Sequence, residues 1–270
     1  MREKRRAVLR SLWVHRDLGR RLLKREVRAR YHGSYLGILW AFATPLLSLL
    51  VFTFVFSVIF KPRWGGDIGE DKASFALTLF VGLAGFNFFS ETLNRAPNII
   101  VSRADYVKRV VFPLGLLPTV AVGSAAFNLI VALAMLVLAQ LLLRHILPWT
   151  VFLLPLVVLP LMFVSLGLSW FLSSLGVYVR DVGHVVTPAT QMLMFLSPVF
   201  YPLDAVPQWL RPWMYLNPLT VVIEQARDLI IVGRMPQWPV LFVYLIAAVA
   251  VAWGGWFWFE RTRKGFADVL

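Results

Sequence analysis

The strongest constraint on this chain is a run of apolar residues, Leu36 to Phe60, that holds no charge at all. About 20 predominantly apolar residues make a helix that crosses the hydrocarbon core of a bilayer. Comparable stretches recur at about 74–93, 114–143, 151–178, 182–201 and 240–259, interrupted inside only by Glu91 near the end of the second. In hydrocarbon the backbone must satisfy its own hydrogen bonds, which leaves helices and closed barrels. Runs this long without polar–apolar alternation predict helices. The expected fold is therefore all-α and integral to the membrane, with six transmembrane helices in a domain covering 36–259. It is flanked by a basic N-terminal segment, 1–35, and a tail, 260–270. Composition agrees: 59% of the residues are hydrophobic and 15% charged, against roughly 45–50% and about 25% in soluble domains.

The net charge of +13 comes from 27 Lys+Arg against 14 Asp+Glu. Spread over a soluble surface it would suggest nucleic acid, but 12 of the 27 fall within the first 30 residues. With the N-terminus inside, the cytoplasmic pieces carry 20 basic residues and the outer loops 7. Lys and Arg in short loops stay cytoplasmic, so both termini are expected inside and no nucleic-acid partner is expected. A polar stretch of this length before the first apolar run does not predict a cleaved signal peptide. Zero cysteines exclude disulfides and thiolate chemistry.

Three regions do not read as simple spans. Across residues 12–35, Leu18, Leu22, Leu23, Val27, Tyr31 and Tyr35 make an apolar stripe between basic residues. That pattern predicts an amphipathic helix at the interface with anionic lipid headgroups, or else a solvated basic flank. The loop from Asn94 to Pro113 predicts a short helix with Ile99, Ile100, Tyr106 and Val107 on one face, beside Arg103, Lys108 and Arg109. Such a loop suits partner docking or a place on the membrane surface. The outer segment, Ser197–Pro239, holds seven prolines with Trp209, Trp213 and Trp238 among them. Proline at that density prevents one continuous helix, so short re-entrant helices are expected before the last span. One of them, between Pro218 and Gly233, carries Glu224, Arg227 and Asp228 at i, i+3 and i+4.

Catalytic signatures are missing from the sequence. It has no G-x-x-x-x-G-K-[ST] phosphate loop, so ATP hydrolysis by that machinery is not expected here. Neither G-x-S-x-G nor H-E-x-x-H occurs, and His15, His32, His145 and His184 are scattered. Asp67, Glu70 and Asp71 read as a polar turn beside glycines. Among intramembrane acids, which proton relays require, Glu91 is the one candidate. Its place near a span end suits a snorkelling carboxylate or one that docks the N-terminal segment. The spans hold hydroxyls and aromatics instead: Trp40, Thr44, Ser48, Phe52, Phe56 and Phe60 recur every four residues. Phe195, Phe200 and Tyr201 close the fifth run. Such groups suit the C–H faces and hydroxyls of sugars, and equally suit helix packing or lipid. Ser165, Ser169 and Ser173 are spaced for close helix approach.

Several segments resemble, in order along the chain, the ABC-2 type permeases that export cell-surface polysaccharides. They are LLKREVRARYHGSYLGILWAFATPLL (Leu22–Leu47), VKRVVFPLGLLP (Val107–Pro118), VRDVGHVV (Val179–Val186), SPVFYP (Ser197–Pro202), LNPLTVVIEQARDLI (Leu216–Ile230) and FERTRKGFADVL (Phe259–Leu270). The resemblance implies a homodimer with a pore between its copies in the bacterial inner membrane. It also implies two copies of a separate ATPase, which would hold ATP and Mg while this chain binds no cofactor or metal. The cargo it implies is a glycan on undecaprenyl diphosphate, of the O-antigen, capsule or teichoic-acid kind. The segment of Asn98, Ile99, Ile100, Arg103, Asp105, Tyr106 and Lys108 would couple to the ATPase. Trp209, Trp213, Glu224, Arg227 and Asp228 would lie at the outer gate. Arg28, Arg30 and Arg109 would receive the lipid diphosphate, or serve only as positive-inside charge and ATPase docking. A smaller lipid or drug cargo, a membrane-embedded glycolipid enzyme and a non-transporting scaffold are the alternatives.

Overall fold

The computed structural model describes residues 15–31, 35, 37–55, 72–107 and 112–270, and every regular element among them is helical. In chain order these are α1 (Arg16–Tyr31), α2 (Trp40–Phe54), α3 (Lys72–Arg95), α4 (Asn98–Val101), α5 (Ala104–Val107) and α6 (Leu116–Arg144). They are followed by α7 (Leu154–Tyr178), α8 (Val182–Leu196), α9 (Arg211–Met214), α10 (Thr220–Arg227), α11 (Trp238–Thr262) and α12 (Phe266–Val269). Among the described residues, four stretches are long and apolar enough to cross a membrane: Ser74–Arg95, Leu116–Arg144, Trp149–Tyr178 and Trp238–Val269. The expected first and fifth spans are occupied by α2 and α8, apolar helices of 15 residues each. Residues 56–60 of the first run lie outside the described residues.

Local chemistry sets the ends. Ser197, which precedes Pro198, is extended at ψ 150°, because proline disfavours the α region in the residue before it. That stops α8 short of the expected boundary at 201. α6 ends on His145, whose left-handed φ of 54° lets its N–H close onto the Leu141 carbonyl, a common terminal turn. Between Pro218 and Gly233, α10 continues through a π-helical turn, Asp228–Val232, and stops at Gly233 with φ 77°.

Burial divides the long helices by role. α3 is the least apolar of the four, yet 83% of its span window is buried, against 22% for α11. Its Phe80, Phe86, Phe88 and Phe89 are core residues among α6, α7, α8 and α10, so α3 is the central post and α11 presents a broad outer face. α11 lies against α7 where a Cβ on Gly255 would stand 2.0 Å from the Gly167 carbonyl oxygen. Ser165, Ser169 and Ser173 of α7 are fully buried, in agreement with close packing. α10 is buried along nearly its whole length, the condition under which short helices with exposed backbone ends survive at membrane depth.

Candidate functional site

One end of the bundle is organised by α1. Its stripe residues Leu18, Leu22, Leu23, Val27 and Tyr31 are half-buried, while Arg20, Arg21, Lys24, Arg25 and Arg28 are exposed. The stripe meets protein: Gly123 of α6 leaves room for Leu23, and Gly19 of α1 lies over Leu116. Tyr35, expected on the same stripe, is outside the helix and exposed.

Polar contacts fix this docking. Arg30 pairs with Glu91 of α3 at 2.5 Å, and its guanidinium also donates to Ser124 Oγ at 3.2 Å. Tyr31 donates to Asn128 Oδ1 at 2.8 Å, and Asn128 Nδ2 donates to Glu91 Oε2 at 3.0 Å. Glu26 receives Arg95 and, at 2.7 Å, Arg103, and Arg25 donates to the Tyr106 hydroxyl at 3.2 Å. α1 is thereby tied to α3, to α6 and to the loop that carries α4 and α5. Burial works against ionisation of Glu26, but the Arg95 hydrogen bond and the charges of Arg103 and Arg95 outweigh it, holding the carboxyl below its ordinary value. Glu91 is thus the carboxylate that docks the N-terminal segment.

Beside this network lies a cavity of about 630 Å³ enclosed by α1, α2, α3 and α6, within the size range of small-molecule sites. Trp40, Thr44 and Ser48 line it together with Arg30, Asn87, Glu91 and Asn128, and with the apolar Phe80 and Ala132. Three of the expected lining residues therefore share one wall. The Phe52 side chain, Phe56 and Phe60 lie outside the described residues. Phe195, Phe200 and Tyr201 stand apart from this cavity: the two Phe rings are 6.2 Å apart, and Tyr201 donates to the Phe195 carbonyl at 3.0 Å. Of the proposed basic entry, Arg28 is exposed and borders a shallow hollow with Arg21, Lys24 and Arg25, Arg30 is held by Glu91, and Arg109 lies outside the described residues.

The expected coupling segment forms α4 and α5, with one correction. Ile99 and Ile100 are buried, not exposed for docking. Asn98, Ser102 and Asp105 face outward, Arg103 is turned to Glu26, and the Tyr106 ring lies 4.5 Å from that of Phe112, tilted by 43°. Lys108 lies outside the described residues.

At the opposite end, the expected charged face of α10 is also rearranged. Arg227 is 2% exposed. Its guanidinium donates to the Thr78 carbonyl at 3.2 Å, the Val199 carbonyl at 2.8 Å and Glu224 Oε1 at 2.9 Å. This arginine anchors α10 to α3 and to the turn after α8. Trp209 and Trp213 are largely exposed, and the Asp228 carbonyl accepts the Arg234 N–H at 3.0 Å. Sequence reasoning passed over Asn128; a polar side chain inside an apolar run was the available signal.

An all-helical, multi-pass bundle with a basic docking helix and a polar cavity beside that helix belongs to the class of membrane transport components. The chain matches the ABC-2 type transporter family over residues 19–231 and belongs to it, as the sequence resemblance implied. It is similar to an O-antigen export system permease protein, RfbA, of Myxococcus xanthus, 30% identical over 97% of this chain and 99% of that protein. An RfbA of Klebsiella pneumoniae is 22% identical over 92% and 93% of the two chains. The polysialic acid transport protein KpsM of Escherichia coli is 27% identical over 80% and 82%.

Proposed function

We propose that this chain is the permease subunit of an ATP-driven exporter of cell-surface polysaccharide, of the O-antigen kind. The observation that carries the reading is end-to-end similarity to an O-antigen export permease, with both chains covered almost completely. The capsule-type reading has its own support in the KpsM match. In this reading the chain pairs with a second copy in the bacterial inner membrane, both termini inside, and two copies of a separate ATPase bind its cytoplasmic face and hold ATP and Mg. Broad exposed apolar faces on α2 (Leu46, Leu47, Leu50) and α8 (Met192, Phe195, Leu196) support pairing of copies.

The cargo is a glycan on undecaprenyl diphosphate. Arg28, with Arg109, draws the diphosphate to the inner leaflet as cations draw phosphates. Trp40, Thr44 and Ser48 offer the glycan an aromatic face and hydroxyls. The outer helices with Trp209 and Trp213 border the exit. Deleting the chain should make lipid-linked glycan accumulate inside while surface polysaccharide disappears, read by mass spectrometry of lipid extracts and by surface staining. Normal surface glycan in the deletion strain overturns the reading. Arg28→Gln, with the protein still inserted, should slow export several-fold; unchanged export removes Arg28 from the entry.

A further inference from the structure

The last residues of the chain share an apolar cluster with the segment expected to meet the ATPase. After α11, a 3-10 turn, Arg263–Gly265, leads into α12, which carries Phe266 into the protein with 0% exposure. Phe266 belongs to one apolar cluster with Ile99 and Ile100 of α4, Trp170 and Val177 of α7, and Trp256 and Phe259 of α11. Its ring lies 5.6 Å from that of Phe259 and 5.9 Å from that of Tyr178, edge-on to both. Its neighbours Ala267, Asp268 and Val269 are exposed, so Phe266 carries the contact with Leu270 packed beside the cluster.

The surroundings leave little slack. The Tyr178 hydroxyl donates to the Thr262 carbonyl at 2.7 Å, and Ser174 Oγ and Thr262 Oγ1 are 2.5 Å apart. These bonds fasten the inner ends of α7 and α11 to each other. A Cβ on Gly265 would stand 2.7 Å from the Tyr178 hydroxyl, and one on Gly176 would stand 2.2 Å from the Pro97 carbonyl. The loop before α4 therefore rests directly on the backbone of α7, with no layer of side chains between. Close-packed interiors transmit displacement because they shift between discrete arrangements and do not deform smoothly.

We propose that Phe266 is a positioning residue. It anchors the C-terminal tail in the apolar cluster that Ile99 and Ile100 share with α7 and α11, so that a push on α4 and α5 moves the inner ends of α7 and α11 as one body. The tail is then a working part of the transmission and not only a cytoplasmic end. The inference rests on the exporter reading for its cargo but not for its mechanics.

The test uses the complete complex with its ATPase in nanodiscs and compares Phe266→Ala with Phe266→Leu. Phe266→Ala should leave assembly and the ATP hydrolysis rate within about twofold, while glycan exported per ATP falls tenfold or more. Phe266→Leu, which refills most of the space, should restore at least half of the lost coupling. Proportional loss of both activities with the amount of assembled complex would make the residue merely structural and overturn the proposal, as would unchanged coupling. Hydrogen exchange supplies a readout independent of cargo. Locking the ATPase with vanadate should protect residues 174–178 and 262 in the native complex and not in Phe266→Ala. Equal protection in both overturns the proposal even if the cargo proves to be another molecule. Should Phe266→Ala fail to fold, Tyr178→Phe removes one hydroxyl without a cavity. It should lower the export-to-ATP ratio twofold to threefold, and no change there counts against the anchor.

Discussion

Arg30 of α1 and Glu91 of α3 form a 2.5 Å ion pair, and the same carboxylate accepts a hydrogen bond from Asn128 of α6. One acidic side chain thus holds three helices together. Removing its charge leaves Arg30 and the nearby Arg95 facing each other. Glu91→Gln should destabilise the protein by about 1–2 kcal/mol, less than a fully buried pair because both partners keep some solvent contact. A lower melting temperature in nanodiscs checks this. The exchange should leave the pH profile of export unchanged; a lost pH limb would make Glu91 a proton site.

Glu26 gives the docking of α1 a defined pH window. Its carboxyl titrates below the ordinary value of 4.5. A depressed carboxyl contributes its full stability above the unfolded value, and that stability is lost as pH falls through the folded value. The chain has no cysteine, so a single spin label can be placed at Ala29→Cys. The label should stay immobilised from pH 8 to about 4.5 and loosen only below. Release above pH 5.5, or the same profile in Glu26→Gln, contradicts the role assigned to Glu26.

Arg227 serves three acceptors from a fully buried position. Arg227→Met leaves Glu224 without this guanidinium and takes a donor from the carbonyls of Thr78 and Val199. Breaking a buried pair from one side costs about 3–5 kcal/mol. Arg227→Lys keeps the charge but not the planar fork of donors, and should recover less than half of the loss. Thermal melts of the two variants, run beside Glu224→Gln, measure these differences. Arg227→Lys at native stability would show that the bonds to Thr78 and Val199 contribute nothing.

What the sequence could reveal depended on distance along the chain. The four long helices follow from uninterrupted apolar runs, and the α1 stripe follows from residues three and four apart. The surface that receives the stripe does not, because Gly123 and Leu116 lie about a hundred residues away. The i, i+3, i+4 spacing of Glu224, Arg227 and Asp228 read as a charged face at the outer mouth. Carbonyls 149 and 28 residues distant draw Arg227 inward instead. Ile99 and Ile100 read as an exposed face for the same reason: Phe266, which shares their cluster, is at the far end of the chain. Trp40, Thr44 and Ser48 were legible as one line, but that α1, α3 and α6 enclose a cavity before them is tertiary information.

The contact between α7 and α11 contains its own control. Gly254 and Gly255 are adjacent in α11, yet a Cβ on Gly254 meets nothing within 4 Å while one on Gly255 would stand 2.0 Å from the Gly167 carbonyl oxygen. Gly254→Ala therefore adds a methyl in open space and removes backbone freedom from the unfolded chain, which should stabilise the helix by about 0.5–1 kcal/mol. Gly255→Ala has backbone in its way, and backbone cannot swing aside as a side chain can. The helices must separate, and overpacking of this kind costs about 1–3 kcal/mol, along with the close approach that holds membrane helices together without a hydrophobic drive. The two single-methyl variants should shift the melting temperature in opposite directions. Equal shifts would mean that α7 and α11 do not meet at Gly167 and Gly255. A double variant, Gly167→Ala with Gly255→Ala, should lose less than the sum of its parts, because the first methyl already forces the helices apart.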